Sequence, residues 1–103
     1  AIVCADDLIA LGATRACRAH GFPVPGKVQV TGYDDIEFSR LAEPALTTVH
    51  QPRDRIAAEA VRLLAAAGRT KEAERGPHAH ISLVPTLVVR DSTRATGAPP
   101  EGA

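Results

Sequence analysis

Short apolar runs alternate with longer amphipathic stretches along the first part of the chain. Residues 2–5 (IVCA) are apolar without alternation, which predicts a short, fully buried strand of the parallel-sheet type. Residues 7–20 repeat apolar positions every three to four residues, which predicts a helix with one apolar side. Gly21 predicts a left-handed cap for this helix, and Pro23 and Pro25 prevent its continuation.

A second strand is predicted at residues 28–33 (VQVTGY), which are rich in β-branched side chains. The helix-rich connection between the two strands fits a βαβ crossover, so we expect an α/β fold with a parallel sheet. A short helical turn at residues 36–41 and a third extended segment at residues 46–49 follow.

The second part of the chain is dominated by one amphipathic helix, predicted at residues 53–67. The polar residues 68–80 predict a surface connection. Residues 81–89 predict the last strand, and Pro85 places it at an edge or a bulge because proline has no N–H to donate. Residues 94–103 are small and proline-rich, which predicts a disordered tail.

The composition is that of a globular protein. Of 103 residues, 45% are hydrophobic and 23% charged, and the formal net charge is +0. This balance excludes the basic surface typical of nucleic-acid-binding domains, so any DNA contact is expected outside this sequence. Ala1 opens directly into an apolar run, which predicts that the chain is a piece of a longer protein. No stretch reaches the roughly 18 apolar residues of a membrane span, so no membrane partner is expected.

Candidate residues for metal or covalent chemistry are few. Cys4 and Cys17 lack the spacing of a zinc site or a disulfide framework, and we expect them to be buried as small hydrophobic residues. His78 and His80 alternate but have no Cys or carboxylate partner at a fixed offset, so no metal site is predicted. Phosphate-binding glycine loops and nucleophile elbows are absent from the sequence. We therefore predict neither a cofactor nor an enzyme.

Acidic residues follow both predicted strands: Asp6 and Asp7 after the first, Asp34 and Asp35 after the second. Ligands of open α/β sheets bind outside the carboxyl ends of the strands. A carboxylate there accepts strong hydrogen bonds from adjacent hydroxyl groups, which suits a sugar or another polyol. The alternative is that these aspartates cap helices. Capping is favoured for Asp7 and Asp35, whereas ligand contact is at least as well supported for Asp34.

Four ordered segments resemble motifs of the lactose-repressor/galactose-repressor (LacI/GalR) family. Residues 3–12 (VCADDLIALG) resemble its CANDxxAxG segment, and residues 24–35 (VPGKVQVTGYDD) resemble VPxDVxVxGYDD. Residues 44–52 (PALTTVHQP) are similar to PxLTTVxQP, and residues 83–93 (LVPTLVVRDST) to LxPxLVVRxST. Together these segments cover nearly the whole chain up to residue 93.

The resemblance implies a two-lobed, periplasmic-binding-protein-like (type I) effector domain, incomplete here and mostly its C-terminal lobe, with the effector in the cleft. The family's effector-binding aspartate corresponds to Asp34. The family has Asn where this chain has Asp6, so Asp6 is a second candidate that offers a charge but no amide donor. The following residue, Asp7, corresponds to the more structural position of the pair.

The resemblance also implies a division of the chain between the lobes and a set of further contacts. The hinge and cleft candidates are Thr48, His50 and Gln51. Leu11 and Leu41 are each more typical of a core than of an interface, but the regions in which they lie contribute to a homodimer contact in the family, and dimerisation is therefore a hypothesis. The implied segments are 1–46 and 81–93 in the C-terminal lobe, 47–52 as the hinge crossover, 53–67 as an N-lobe helix, 68–80 as the connection and 94–103 as the tail.

The function implied is that of a cytoplasmic transcription regulator that binds a sugar-like effector, dimerises and contacts DNA through an N-terminal headpiece outside this sequence. The alternative is a periplasmic sugar-binding protein that feeds a transporter and shares the same fold. The cleft aspartates do not separate the two, but the VRDST ending favours the regulator. The identity of the sugar is left open.

Overall fold

The computed structural model describes residues 1–74 and 76–95. The elements in chain order are β1 (Ile2–Val3), α1 (Asp7–Ala19), β2 (Val30–Thr31), α2 (Glu37–Leu41), β3 (Thr48–His50), α3 (Arg53–Arg69), a 3₁₀ helix (Glu72–Glu74) and β4 (Thr86–Val88). Arg75 of the predicted connection, and all but the first two residues of the predicted tail, lie outside the described residues.

The described residues form two compact units. The first contains residues 1–51 and 86–95, and the second contains the described residues of Pro52–Pro85. The predicted assignment of these segments to lobes stays a prediction.

The β1–α1–β2 segment forms the parallel pair that the sequence predicts. Ile2 pairs with Val30 and Val3 with Thr31, in a parallel register. The expectation that the first strand is fully buried is wrong, because Val3 is 84% exposed. Among the described residues, α1 is the helix that packs closely on this pair, and the exposed residues of the pair are those of β1.

Helix α1 has well-formed caps at both ends. Its N-cap is Asp6, whose Oδ1 accepts a hydrogen bond from the Ile9 N–H at 2.8 Å. At the other end Gly21 has φ 77°, which confirms the predicted left-handed cap. The Phe22 N–H then returns to the Cys17 carbonyl at 2.8 Å, the six-to-one bond of a Schellman motif.

The core of the first unit is small and lies between α1 and the strands. Its buried apolar members are Cys4, Ala10, Val30 and Leu46. Cys4 is buried, as expected. Burial and, to a smaller extent, the charge of Asp6 raise the pKa of its thiol, so the thiol stays protonated. The expected burial is wrong for Cys17, which is only partly buried.

The segment after β4 is inserted into this unit and holds it together. Ser92 is fully buried, and its hydroxyl donates to the Val30 carbonyl at 2.6 Å and accepts from the Thr47 N–H at 2.8 Å. Its backbone N–H donates to the Ala45 carbonyl at 2.9 Å. The end of the VRDST motif therefore fixes β2 against the chain that leads into β3.

At and after the end of β2, single parallel bridges join Thr31 to Thr47 and Asp34 to His50. Strand β3 then pairs antiparallel with β4, with Val49 opposite Leu87. The prediction of a last strand over residues 81–89 is wrong in extent. β4 begins only after Pro85, because proline cannot donate to the ladder.

The second unit consists of α3 and the chain that follows it. Strong helix formers (Ala, Leu, Arg and Glu) make up most of α3, which continues two residues past its predicted end. None of its side chains is buried, and Ile56, Val61 and Leu64 are 41%, 66% and 75% exposed. Its apolar side is thus largely open to solvent within this chain.

Candidate functional site

The two acidic pairs lie side by side at the carboxyl ends of β1 and β2. The backbone N–H of Asp7 donates to the carbonyl of Tyr33 at 3.0 Å, which joins the two strand exits directly. Gly32 makes this approach possible. A Cβ at that position would overlap Oδ1 of Asp7 and lie 3.0 Å from Cδ2 of Leu46.

The turn after Tyr33 has an unusual backbone. Asp34 has φ 108° and Asp35 has φ 56°, a region that few residues other than glycine adopt. Such conformations persist only where the surroundings hold them, and they cluster at functional sites. Three consecutive N–H groups are held here: Asp34 by the Val49 carbonyl at 2.9 Å, Asp35 by the Thr48 hydroxyl at 3.4 Å and Ile36 by Oδ2 of Asp7 at 2.8 Å.

Asp7 is the buried support of this turn. Its side chain is almost fully buried, and its Oδ1 accepts a hydrogen bond from the Thr48 hydroxyl at 2.5 Å. The structural role that the family resemblance implies is consistent with these contacts. The expectation that Asp7 caps α1 is wrong, because Asp6 is the N-cap of that helix and Asp7 accepts from the N–H of Ile36 instead.

Asp34 is paired with the crossover segment. Its Oδ1 accepts a hydrogen bond from Nε2 of Gln51 at 2.5 Å, and both residues are partly exposed. An acidic group and an amide thus stand together at a strand exit, where a hydroxyl-rich molecule can find both acceptors and donors.

Asp35 forms the charged centre of the site. Its Oδ1 lies 2.7 Å from the Arg90 guanidinium, and its Oδ2 lies 2.9 Å from Nδ1 of His50. Burial raises the pKa of Asp35, but hydrogen bonds from Arg90, His50 and Ser39 and the charge of Arg90 outweigh burial. The pKa therefore lies below its ordinary value, and the carboxyl is ionised. The expectation that Asp35 caps α2 is wrong, because α2 has no side-chain cap.

The structure brings some of the candidate residues together and leaves others apart. A β-bridge joins Asp34 to His50, and a hydrogen bond joins Asp34 to Gln51. The Thr48 hydroxyl binds the neighbouring Asp35 N–H and the Asp7 carboxylate. Within the described residues, Asp6 makes no hydrogen bond to that group.

The two leucines predicted at a dimer contact differ in their surroundings. Leu11 is half-buried against the core, whereas Leu41 on α2 is 72% exposed. Only Leu41 therefore presents most of its side chain to solvent.

Arg90 and Ser39 are parts of this network that the sequence did not single out. Arg90 also donates to the Ser39 hydroxyl at 2.9 Å and to the Leu46 carbonyl at 3.1 Å. Arg90 lies in the family-like segment LVVRDST (residues 87–93), and this is the one feature of the sequence that points to it. Nothing in the spacing indicated a partner 55 residues away.

The described part of the chain offers neither a metal-binding cluster nor a membrane-spanning helix. His, Cys, Asp and Glu nowhere gather in groups of three that could hold a metal ion, and His78 and His80 are no exception. No helix there combines the length and the apolar character that crossing a membrane requires.

The sequence profile of the periplasmic binding protein-like domain matches residues 1–93. The chain belongs to this family. Proteins similar to this chain include HTH-type and LacI family transcription regulators, which confirms the resemblance. It is 41% identical over 95 residues to the HTH-type transcriptional repressor PurR of Pasteurella multocida, covering 92% of this chain and 28% of that protein. It is 45% identical over 94 residues to the HTH-type transcriptional regulator MalR of Streptomyces coelicolor, covering 90% and 26%.

A solved structure shares the same fold. The complex of the transcriptional regulator CelR with cellobiose superimposes with a TM-score of 0.77 at 39% identity, covering 87% of this chain and 27% of that one. The periplasmic-binding-protein-like α/β fold class is thereby confirmed. The chain spans only 26–28% of the length of the two curated relatives named above.

Proposed function

We propose that this chain is the effector-binding part of a cytoplasmic transcription regulator, and that a sugar or related polyol binds at Asp34 beside Gln51. One observation carries the proposal: the ionisable carboxylate of Asp34 sits at a strand exit on a positive-φ backbone, within 2.5 Å of an amide donor. Carboxylates bind adjacent hydroxyls through charge-assisted bonds, which are stronger than neutral ones. Asp6, one strand away, is a second candidate contact.

The relatives support the regulator over the transport protein. Both curated relatives are named as HTH-type regulators, and the CelR complex holds cellobiose. The family resemblance implies an N-terminal DNA-binding headpiece, and the proposal assigns DNA binding to that headpiece, outside this sequence. The proposal includes no catalysis, so sugars should be recovered unchanged after incubation.

Regulation in this proposal couples two sites. Effector binding near Asp34 and DNA binding by the headpiece are linked through a homodimer, and each ligand favours one of two global states. Leu41, exposed on α2, is the proposed contact between the two copies, with Leu11 of α1 in support. Hydrophobic residues that remain exposed in groups commonly mark such interfaces.

The test is calorimetric titration of the complete protein with cellobiose, lactose, sucrose and D-xylose. Asp34→Ala should weaken binding by about tenfold or more, because a hydrogen bond to a charged group contributes about 1.5–3 kcal/mol. Asp91→Ala is the matched control, since Asp91 is an exposed aspartate of the same unit. Unchanged affinity in Asp34→Ala, or no binding of any of these sugars, would contradict the proposal.

A further inference from the structure

Two consecutive aspartates at the end of β2 hold two consecutive residues of the crossover segment. Asp34 accepts a hydrogen bond from Gln51 at 2.5 Å, and Asp35 contacts His50 at 2.9 Å. The parallel bridge between Asp34 and His50 lies between the two side-chain contacts. Gln51, which binds Asp34, thus directly follows a residue whose side chain contacts Asp35.

The two ends of the His50–Asp35 contact differ in exposure. The Asp35 side chain is 13% exposed and is fixed by Arg90, whose side chain is 15% exposed. The His50 side chain is 45% exposed, so protons of the solvent reach its ring. Since an ionised carboxylate only accepts hydrogen bonds, Nδ1 of His50 carries the hydrogen and donates it.

We propose that His50 is a positioning residue for the effector site: its bond to Asp35 holds Gln51 at Asp34, and protonation of the ring tightens that bond and raises effector affinity. The inference rests on the proposed function. It adds a pH dependence to the Asp34 site, with tighter effector binding at lower pH.

The sign follows from the groups that face His50. From the end of β2 these are Asp35, whose Oδ2 contacts the ring, and Asp34, which is joined to His50 by a backbone bridge. From the segment after β4 it is Arg90, which binds the other carboxylate oxygen of Asp35. On β4 the residue opposite His50 is Thr86, which carries no charge. The group in contact with the His50 ring is thus the Asp35 carboxylate. A charged imidazolium donates a stronger hydrogen bond to a carboxylate than a neutral imidazole does.

The experiment is a titration of the complete protein with cellobiose, lactose, sucrose and D-xylose at several pH values between about 5.5 and 7.5. We expect the affinity for the bound sugar to rise about two- to fivefold towards the lower pH, the effect of a half-exposed ion pair. His50→Asn supplies an amide N–H near the position of Nδ1 but does not titrate, so the rise should disappear. His20→Asn is the matched control, because His20 contacts the Ala16 carbonyl at the end of α1.

Each outcome decides one claim. A rise in wild type and in His20→Asn that is lost in His50→Asn supports the inference. A flat wild-type profile, or a rise that persists in His50→Asn, overturns the inference while binding that depends on Asp34 stands. Absence of sugar binding, or binding that ignores Asp34→Ala, refutes the proposed function itself and this inference with it.

Discussion

Replacing Arg90 by Met should destabilise the first unit more than any exposed charge replacement. The guanidinium makes three hydrogen bonds, to Asp35, Ser39 and Leu46, at 2.7, 2.9 and 3.1 Å. Removing one partner of a buried ion pair costs about 3–5 kcal/mol, because the other charge is left uncompensated. Asp35 would keep its contact with His50, so we expect the lower end, about 3 kcal/mol.

The assay is urea unfolding of the complete protein, followed by circular dichroism. Arg62→Met is the matched control: Arg62 pairs with Glu59 at 2.8 Å, but its side chain is 61% exposed, and such pairs contribute about 0.5 kcal/mol or less. A loss in Arg90→Met no larger than that in Arg62→Met would refute the reasoning.

Acid unfolding provides a second test of the Arg90→Met variant. Because the folded-state pKa of Asp35 is depressed, its ionisation contributes stability above the ordinary value of 3.8. That contribution is lost as the pH falls through the folded-state value. In Arg90→Met, the hydrogen bond and the charge that lower the pKa of Asp35 are lost, while burial still raises it. The pKa of Asp35 therefore rises. The midpoint of acid unfolding should therefore move to higher pH in Arg90→Met.

Three further substitutions test separate contacts. Gly32→Ala should lower the free energy of unfolding by about 1–3 kcal/mol, because the new Cβ overlaps Asp7; an unchanged urea midpoint would show that the turn relaxes freely. Asp6→Ala should cost about 1 kcal/mol through loss of the α1 cap, and Asp6→Asn should restore most of it; equal losses in both would exclude capping as the cause. Leu41→Glu should halve the mass measured by light scattering, whereas Arg40→Glu on the same helix should not. A monomeric wild type, or an unaltered Leu41→Glu, would contradict the dimer contact.

Local chemistry made the β1–α1–β2 segment predictable. An apolar run, a three-to-four periodicity and a glycine before two prolines each indicate structure within a few residues of themselves, and the left-handed φ of Gly21 followed directly. The burial of β1 was not predictable, because it depends on what covers its open face rather than on its own composition. Strand β4 begins only after Pro85. From the sequence, this proline predicts an edge strand or a bulge, not the beginning of the strand.

The sequence predicts where the acidic residues gather, but not which groups each of them binds. Acidic residues after two parallel strands indicated one shared edge, and the Asp7–Tyr33 bond joins those ends. Which aspartate caps, supports or pairs could not follow from type alone, because Asp6 and Asp7 are chemically identical neighbours. The partner of Asp35 is distant in sequence, and only the folded chain brings Arg90 to it.

A crystal structure of the complete protein with a bound sugar would test the central claim most directly. The account predicts a sugar hydroxyl within hydrogen-bond distance of the Asp34 carboxylate, with the Gln51 amide beside it. A sugar bound elsewhere, with Asp34 still paired only to protein groups, would contradict it.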